Sequence, residues 1–128
     1  MIKILNTATL SSFQDLGRFG KKSIGVSQSG CLDKFSFIIS NFLCGNKKNE
    51  GAIEIVGGGF SCEFMEDVSI AVSGPTGIFT INNDQISINS SIKIKKYDTL
   101  YIPENKNGNI FYFSISGGFK VNNIMNSV

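Results

Sequence analysis

Apolar residues along most of the chain recur at a spacing of two. Ile2-Lys3-Ile4-Leu5 begins a first predicted strand, Ala52-Ile53-Glu54-Ile55-Val56 forms a second, Phe60-Ser61-Cys62-Glu63-Phe64 a third and Val68-Ser69-Ile70-Ala71-Val72 a fourth. Each either alternates or is rich in β-branched and aromatic residues. Ile78-Phe79-Thr80-Ile81 and Ile86-Ser87-Ile88 flank Asn82-Asn83-Asp84-Gln85. Asn and Asp tolerate left-handed backbone, so this pair reads as a hairpin. Ile92-Lys93-Ile94, Thr99-Leu100-Tyr101-Ile102 and Ile110-Phe111-Tyr112-Phe113-Ser114-Ile115 continue the pattern, separated by Lys96-Tyr97-Asp98 and the polar loop Glu104-Asn105-Lys106-Asn107-Gly108-Asn109. Strands this closely spaced predict a mainly β fold, an antiparallel barrel or sandwich. Both prolines, Pro75 and Pro103, fall at strand ends, where a missing N–H does least harm.

One stretch departs from period two. In GCLDKFSFIISNFLCGN, Phe35, Ile38, Ile39, Phe42 and Leu43 fall at i, i+3, i+4, i+7 and i+8, which places all five on one helical face. Asp33 stands where an N-cap belongs and Gly45 where a left-handed stop belongs, so a helix is predicted from about Lys34 to Cys44. Leu32 before the cap and Phe37 after it are spaced for a hydrophobic staple.

Composition narrows the function classes. A chain of 128 residues has the length of a single domain, residues 1–128, and folding can bury roughly two thirds of its unfolded surface. Apolar residues reach 41% and charged residues 17%, as in globular domains. The net charge of +2 is carried by scattered pairs such as Lys21-Lys22, Lys47-Lys48 and Lys95-Lys96, without the concentrated basic face that nucleic-acid binding needs. No run of about 18 apolar residues occurs, so no membrane partner is expected, and the start of the chain lacks a signal-peptide pattern. Cys31, Cys44 and Cys62 form no C-x-x-C pair and fit a reducing cytoplasm. Histidine is absent, which restricts acid/base chemistry to carboxylates, Lys, Tyr, Cys or a partner subunit, and dispersed thiols without imidazole give no metal-ligand spacing.

The segment between Ser11 and Asp33 has no helical or strand period and holds four glycines, Gly17, Gly20, Gly25 and Gly30, together with the chain's only arginine. Long excursions of this kind in compact domains are functional or mobile. Arg18 offers a planar fork of donors for a carboxylate or phosphate, and the flanking glycines let backbone approach closely. Asp15 can equally occupy that fork, giving an internal pair that pins the loop; both readings stand. The spacing is no phosphate-binding fingerprint, because no G-x-x-x-x-G-K-[ST] is present. Gly57-Gly58-Gly59 and Gly117-Gly118 read as turns or bulges. Cys31, close to the helix start, is a weak candidate nucleophile, while Cys44 and Cys62 suit core positions.

The blocks Phe13-Gln14-Asp15-Leu16-Gly17-Arg18-Phe19-Gly20, Gly25-Val26-Ser27-Gln28-Ser29-Gly30-Cys31-Leu32-Asp33, Asn41-Phe42-Leu43-Cys44-Gly45-Asn46, Ala52-Ile53-Glu54, Ala71-Val72-Ser73-Gly74 and Ser116-Gly117-Gly118 run in order through the chain. Together they resemble the carboxyltransferase-domain (subdomain A and B) family, which includes the C-type subunit of 5-oxoprolinase, allophanate hydrolase subunit 2 and KipA-like proteins. The resemblance covers the amino-terminal half of such proteins. Departures include Cys31 where alanine is typical, Asn122-Asn123 where prolines are common and Asn126 where glycine is usual.

The resemblance implies a cyclophilin-like β fold, a KipI-like partner of the 5-oxoprolinase B type and a third subunit of lactam-utilisation type. It implies ATP-dependent opening of 5-oxoproline to glutamate by the complex, with no cofactor held by this chain itself. Two other functions stay open: a non-catalytic KipA-like regulatory binding protein, and a biotin-dependent carboxyltransferase acting on urea or a similar amide. A small amide substrate must be polarised in both chemistries. The residues expected to bind substrate or clamp the loop are Gln14, Asp15, Arg18, Ser29 and Asp33, with backbone of Gly17, Gly20, Gly30, Gly117 and Gly118 as oxyanion or loop groups. No catalytic base and no metal ligand is assigned.

Overall fold

The computed structural model describes residues 1–7, 10–14, 32–47, 50–119 and 124–126. Its strands are β1 (Ile2–Asn6), β2 (Leu10–Gln14), β3 (Ala52–Val56), β4 (Phe60–Phe64), β5 (Val68–Ser73), β6 (Ile78–Ile81), β7 (Asp84–Ser87), β8 (Ser90–Ile94), β9 (Thr99–Ile102), β10 (Ile110–Ile115) and β11 (Ile124–Asn126), with one helix, α1 (Lys34–Leu43). They form two sheets, one in the order β11-β1-β4-β9-β6-β7 and the other β2-β3-β10-β5-β8. All pairings are antiparallel except β1 with β11. Of the two predicted architectures, the sandwich is the one formed.

Period two in the sequence becomes two faces in space. Along β10, Phe111, Phe113 and Ile115 enter the core between the sheets, together with Ile53 and Ile55 of β3, Ile70 and Val72 of β5, and Phe60, Cys62 and Phe64 of β4. Phe113 is the hub: its ring meets Phe119 at 5.1 Å, Phe60 at 5.9 Å and Phe64 at 6.0 Å between centroids. The alternate residues of the same strands, Ala52 and Tyr112, face α1 in a second, smaller cluster with Phe37. The architecture is therefore three layers: sheet, sheet, helix.

The predicted hairpin forms with a two-residue turn, Ile81 pairing Asp84 across Asn82 (φ +51°) and Asn83 (φ +73°). Two left-handed residues in succession match the twist of the flanking strands. Two strands lacked a sequence signal. Leu10–Gln14, read as the start of the aperiodic segment, is edge strand β2 paired with β3, and Ile124–Asn126 is β11.

The helix forms where predicted but is turned over. Asp33 caps it, accepting from Ser36 N at 3.1 Å and from Ser36 Oγ at 2.8 Å, and Gly45 follows with φ +74°. Its buried residues, however, are Ser36, Phe37, Ser40 and Asn41. Of the face expected from the apolar spacing, Phe35 is 75% and Phe42 73% exposed, while Ile38, Ile39 and Leu43 are half-buried. The reason lies in the sheet surface beneath, where Glu54, Tyr112, Ser73 and Ser114 are all buried. Buried polar groups need partners. The Leu32 and Asp33 amides ahead of the helix serve Glu54 and Tyr112, and Ser40 on its buried face bonds Ser114, a contact that a phenylalanine face does not make. Leu32 remains 67% exposed while Phe37 is fully buried, so the staple does not close.

Gly57, Gly58 and Gly59 link β3 in one sheet to β4 in the other, all with positive φ. A Cβ on Gly58 would lie 1.9 Å from the Pro103 carbonyl oxygen, whereas one on Gly45 would meet nothing within 4 Å, although both residues have φ +74°. Gly45→Ala should therefore cost only the left-handed penalty of about 1–2 kcal/mol. Gly58→Ala should cost that plus a backbone collision, about 3 kcal/mol or more. Chemical denaturation of the two variants measures the difference, and equal losses would mean that the Pro103 contact imposes nothing.

Candidate functional site

A polar row crosses the helix-facing side of the β2-β3-β10-β5-β8 sheet. Ser12 of β2 pairs with Glu54 of β3, Glu54 with Tyr112 of β10, and Tyr112 with Ser73 of β5. Residues directly opposite one another in adjacent strands share a face, so these four lie side by side, with Glu54 and Tyr112 at the N-terminal end of α1. Glu54 and Tyr112 are both buried and are joined by a 2.5 Å hydrogen bond from the phenol to Glu54 Oε2. Leu32 N–H donates to the same carboxyl oxygen at 2.9 Å, and Asp33 N–H donates to the Tyr112 oxygen at 2.8 Å. Phe37 packs edge-on against the Tyr112 ring at 5.8 Å and seals the pair from above. The Ser73 hydroxyl, fully buried beside Tyr112, has no hydrogen-bond partner among the described residues.

Further polar contacts continue this layer towards the C-terminal end of α1. Ser40 and Ser114 share a hydrogen bond of 2.7 Å, Asn46 Nδ2 donates to Ile115 O at 2.7 Å, and Asn41 Nδ2 donates to Glu50 O at 2.9 Å. Cys44 Sγ donates to Ser114 O at 3.3 Å. Burial pushes the Cys44 thiol up to about 12 and raises that of Cys62 further still, so neither supplies thiolate near neutral pH.

The predicted site residues fall into two groups. Asp15, Gly17, Arg18, Gly20, Ser29, Gly30 and the thiol of Cys31 lie outside the described residues, as does the side chain of Gln14. Their attachment points, however, are described and converge. Gln14, which leads into residues 15–31, pairs with Ala52 in the strand register, and Leu32, which follows them, donates to Glu54. Both flanks of the Arg18 segment thus dock on β3, at Ala52 and Glu54. Asp33 acts as the helix cap. Gly117 N–H donates to Asn46 Oδ1 at 2.8 Å and Gly118 N–H to Ile115 O at 2.9 Å, which commits both amides to the turn.

Glu54, Tyr112 and Ser73 were not singled out by sequence reasoning. The available signal was a carboxylate in the middle of the apolar run Ala52-Ile53-Glu54-Ile55-Val56 and a phenol in Ile110-Phe111-Tyr112-Phe113. A charge-bearing residue in a strand covered on both faces requires a buried partner.

At the far end of β3 the glycine turn lines a cavity of about 350 Å³ with Asn6, Thr7, Tyr101 and Glu104. Two of the three glycine amides are committed within the fold, Gly57 N–H to Asn109 O at 2.9 Å and Gly59 N–H to Ile102 O at 2.8 Å, in keeping with the turn reading of these glycines. Among the described residues no cluster of three or more Cys, Asp or Glu could hold a metal ion, and no helix is long and apolar enough to cross a membrane.

Comparison with known proteins places this geometry. The chain is 31% identical over 127 residues to the C-type subunit of 5-oxoprolinase from Haemophilus influenzae, covering 99% of this chain and 41% of that protein. It is 34% identical over 121 residues to urea amidolyase of Saccharomyces cerevisiae, covering 94% of this chain and 7% of that one. The crystal structure of K. lactis urea amidolyase superposes with a TM-score of 0.80 at 37% identity over 91% of this chain and 7% of its own length. The chain therefore spans less than half the length of these relatives. Residues 24–128 match the family described as carboxyltransferase domain, subdomain A and B, and the chain belongs to that family.

Proposed function

We propose that the chain works as one part of an ATP-dependent, cytoplasmic 5-oxoprolinase-type assembly that opens 5-oxoproline to glutamate, and that Arg18 anchors the substrate carboxylate. The likeness to the C-type subunit of 5-oxoprolinase along almost the whole chain supports the reaction class. One structural observation carries the site: both flanks of residues 15–31 are fastened to β3, by the Gln14–Ala52 pairing and by the Leu32 N–H bond to Glu54. In this reading the two fastened ends are the support from which the donors of the segment are brought to bear on an oxyanion.

In this reading the ring-opening step breaks the lactam C–N bond. Water supplies the oxygen to the carbonyl carbon, and the ring nitrogen receives a proton. ATP, bound elsewhere in the assembly, supplies the driving force. This chain contributes recognition: the Arg18 fork takes the carboxylate that 5-oxoproline carries next to its ring nitrogen. Gln14, Ser29 and the amides of Gly17, Gly20 and Gly30 are the donors available to the amide oxygen. Glu54 and Tyr112 are positioning residues. Buried and bonded to one another, they hold Leu32 and Asp33 and act through the segment that these residues terminate. The partners in this proposal are a second, KipI-like polypeptide of related fold and a third of lactam-utilisation type.

A second reading, carboxyl transfer from carboxybiotin to an amide nitrogen, is favoured by the 37% identity to K. lactis urea amidolyase. It uses the same donors, because urea also presents an amide oxygen to be polarised.

Co-expression with the neighbouring open reading frames, followed by an assay of ATP-dependent glutamate release from 5-oxoproline, tests the first reading. Arg18→Ala should raise KM about 10- to 100-fold, the worth of a charge-assisted bidentate contact, with the melting temperature unchanged. Equal loss of thermal stability in Arg18→Ala and Asp15→Ala, with KM intact, would instead make Arg18 a loop clamp. No glutamate from any combination, with carboxylation of urea in the presence of a biotin carboxylase partner, would replace the first reading by the second.

Tyr112→Phe separates positioning from binding. Losing the hydroxyl leaves Asp33 N–H and Glu54 Oε2 each short of a partner, so the fold should lose about 1–3 kcal/mol. KM should rise more than kcat falls, because the anchor loses its support and the reacting atoms do not lose a contact. Denaturation together with steady-state kinetics checks both, and a stability loss with unchanged KM would confine Tyr112 to the fold.

A further inference from the structure

Between β9 and β10 runs the loop Glu104-Asn105-Lys106-Asn107-Gly108-Asn109, and Asn107-Gly108 is the only place in the sequence where asparagine precedes glycine. Asparagine is a thermolabile residue, because the main-chain nitrogen that follows it can attack its side-chain amide. A folded chain suppresses the attack by holding the side chain, crowding the nitrogen or fixing the backbone between them. We propose that Asn107 is a site of spontaneous covalent modification, at which the Gly108 nitrogen closes an imide on the Asn107 side chain and water reopens it to isoaspartate or aspartate. This inference is independent of the reaction assigned above.

Three observations single out this pair. The first is the side chain. Asn41, Asn46, Asn82, Asn89 and Asn105 each commit a side-chain atom to hydrogen bonds, whereas Asn107 is exposed and its side chain bonds nothing among the described residues. Asn83 and Asn109 lead directly into strand pairing at Asp84 and Ile110, and Asn6 precedes the branched Thr7.

The second is the attacking nitrogen. Three bonds close the loop: Asn105 N–H to Gly57 O and Gly57 N–H to Asn109 O, both at 2.9 Å, and Asn109 N–H to Asn105 Oδ1 at 2.8 Å. Gly108 N–H enters none of them. The third is room. Gly108 is exposed, has φ +70°, and a Cβ placed on it would meet nothing within 4 Å. Without a side chain its backbone turns freely towards the geometry that ring closure needs.

The step balances with water as the only co-reactant. A bond forms from Gly108 N to Asn107 Cγ while the bond from Cγ to Nδ2 breaks, and ammonia leaves with the proton that Gly108 N–H gives up. Water then adds its hydroxyl to one of the two imide carbonyls and returns a proton to the nitrogen. Opening at Cγ gives aspartate with the main chain as before. Opening at the main-chain carbonyl gives isoaspartate, with the main chain routed through Cγ and lengthened by the Cβ.

That lengthening falls between two anchor points. Asn105 and Asn109 flank the reacting pair and both bond Gly57, which lines the cavity together with Gly58, Gly59 and Glu104. The isoaspartyl form therefore strains the bonds to Gly57, while the aspartyl form gains a charge and keeps its main chain.

Ageing of the full chain in warm, mildly alkaline buffer, followed by peptide mapping and isoaspartyl methyltransferase labelling, tests the proposal. Asn107 should convert ahead of every other asparagine, with both acids formed. Asn107→Gln should lose the product at this position and keep the circular dichroism and melting temperature of the wild type, since the side chain supports nothing in the fold. Asn107→Asp has the added charge without the added main-chain carbon and should melt as the wild type does; the aged chain should melt below both.

A folded chain that ages without change at Asn107, or converts first at another asparagine, overturns the proposal. Conversion at Asn107 confined to the urea-unfolded chain also overturns it, because the folded loop would then restrain the pair. An aged, isoaspartate-bearing chain that melts with Asn107→Asp would remove the coupling to Gly57.

Discussion

The fold depends on the hydrogen-bonded layer between α1 and the strands it covers. Glu54, Tyr112, Ser73 and Ser114 make that surface of the sheet polar even though it is buried. Any element placed over it must supply donors and acceptors or leave several groups unpaired, each at a cost of about 1–3 kcal/mol. Ser40 and Asn46 bond across the layer, and the backbone of Leu32 and Asp33 bonds at its other end. The helix orientation follows from this requirement and not from the hydrophobic periodicity of the helix itself. Burying Phe35 and Phe42 would gain about 2–3 kcal/mol each, less than the sum of the unpaired groups that rotation would leave behind.

The same layer connects architecture to function. Glu54 accepts two bonds at one oxygen, from the Tyr112 hydroxyl and from Leu32 N–H. Through these bonds the carboxyl group holds the point where the chain, after the Arg18 segment, rejoins the fold. The other end of the segment is fixed two residues away on the same strand, where Gln14 pairs with Ala52. A change at Glu54 or Tyr112 is therefore felt at Leu32 and Asp33, where the chain rejoins the fold after residues 15–31.

Strands that alternate or are rich in β-branched and aromatic residues were legible in the sequence: β3, β4, β6, β9 and β10 begin and end at the residues the pattern marks. So were the ends of the helix, because Asp33 and Gly45 announce themselves locally. What escaped was set by distant partners. β2, with two adjacent serines and one phenylalanine, becomes a strand because β3 is there to pair with it, and β11 because β1 is. The outward rotation of the helix could not be read from its own residues, since it depends on polar side chains many positions later. Glu54 was visible as a carboxylate among isoleucines, but its partner Tyr112 lies 58 residues away in the chain and is brought opposite only by the register of β3 with β10. Arg18 was legible as a candidate because it is the only arginine in the chain, yet its partner, whether Asp15 or a substrate carboxylate, depends on placement outside the described residues.

The chemistry available to this chain is consistent with a recognition role. It has no histidine, and desolvation holds the thiols of Cys44 and Cys62 in the neutral form. Among the described residues, the acid–phenol pair at Glu54 and Tyr112 is the arrangement closest to a proton-transfer device, and it is packed against Phe37 and bonded to the main-chain amides of Leu32 and Asp33. Its bonds to Leu32 and Asp33 commit the pair to holding geometry where the chain enters α1. Under the proposed function, proton transfer falls to another polypeptide, and this chain adds the Arg18 fork and the backbone donors of the segment that Gln14 and Leu32 flank.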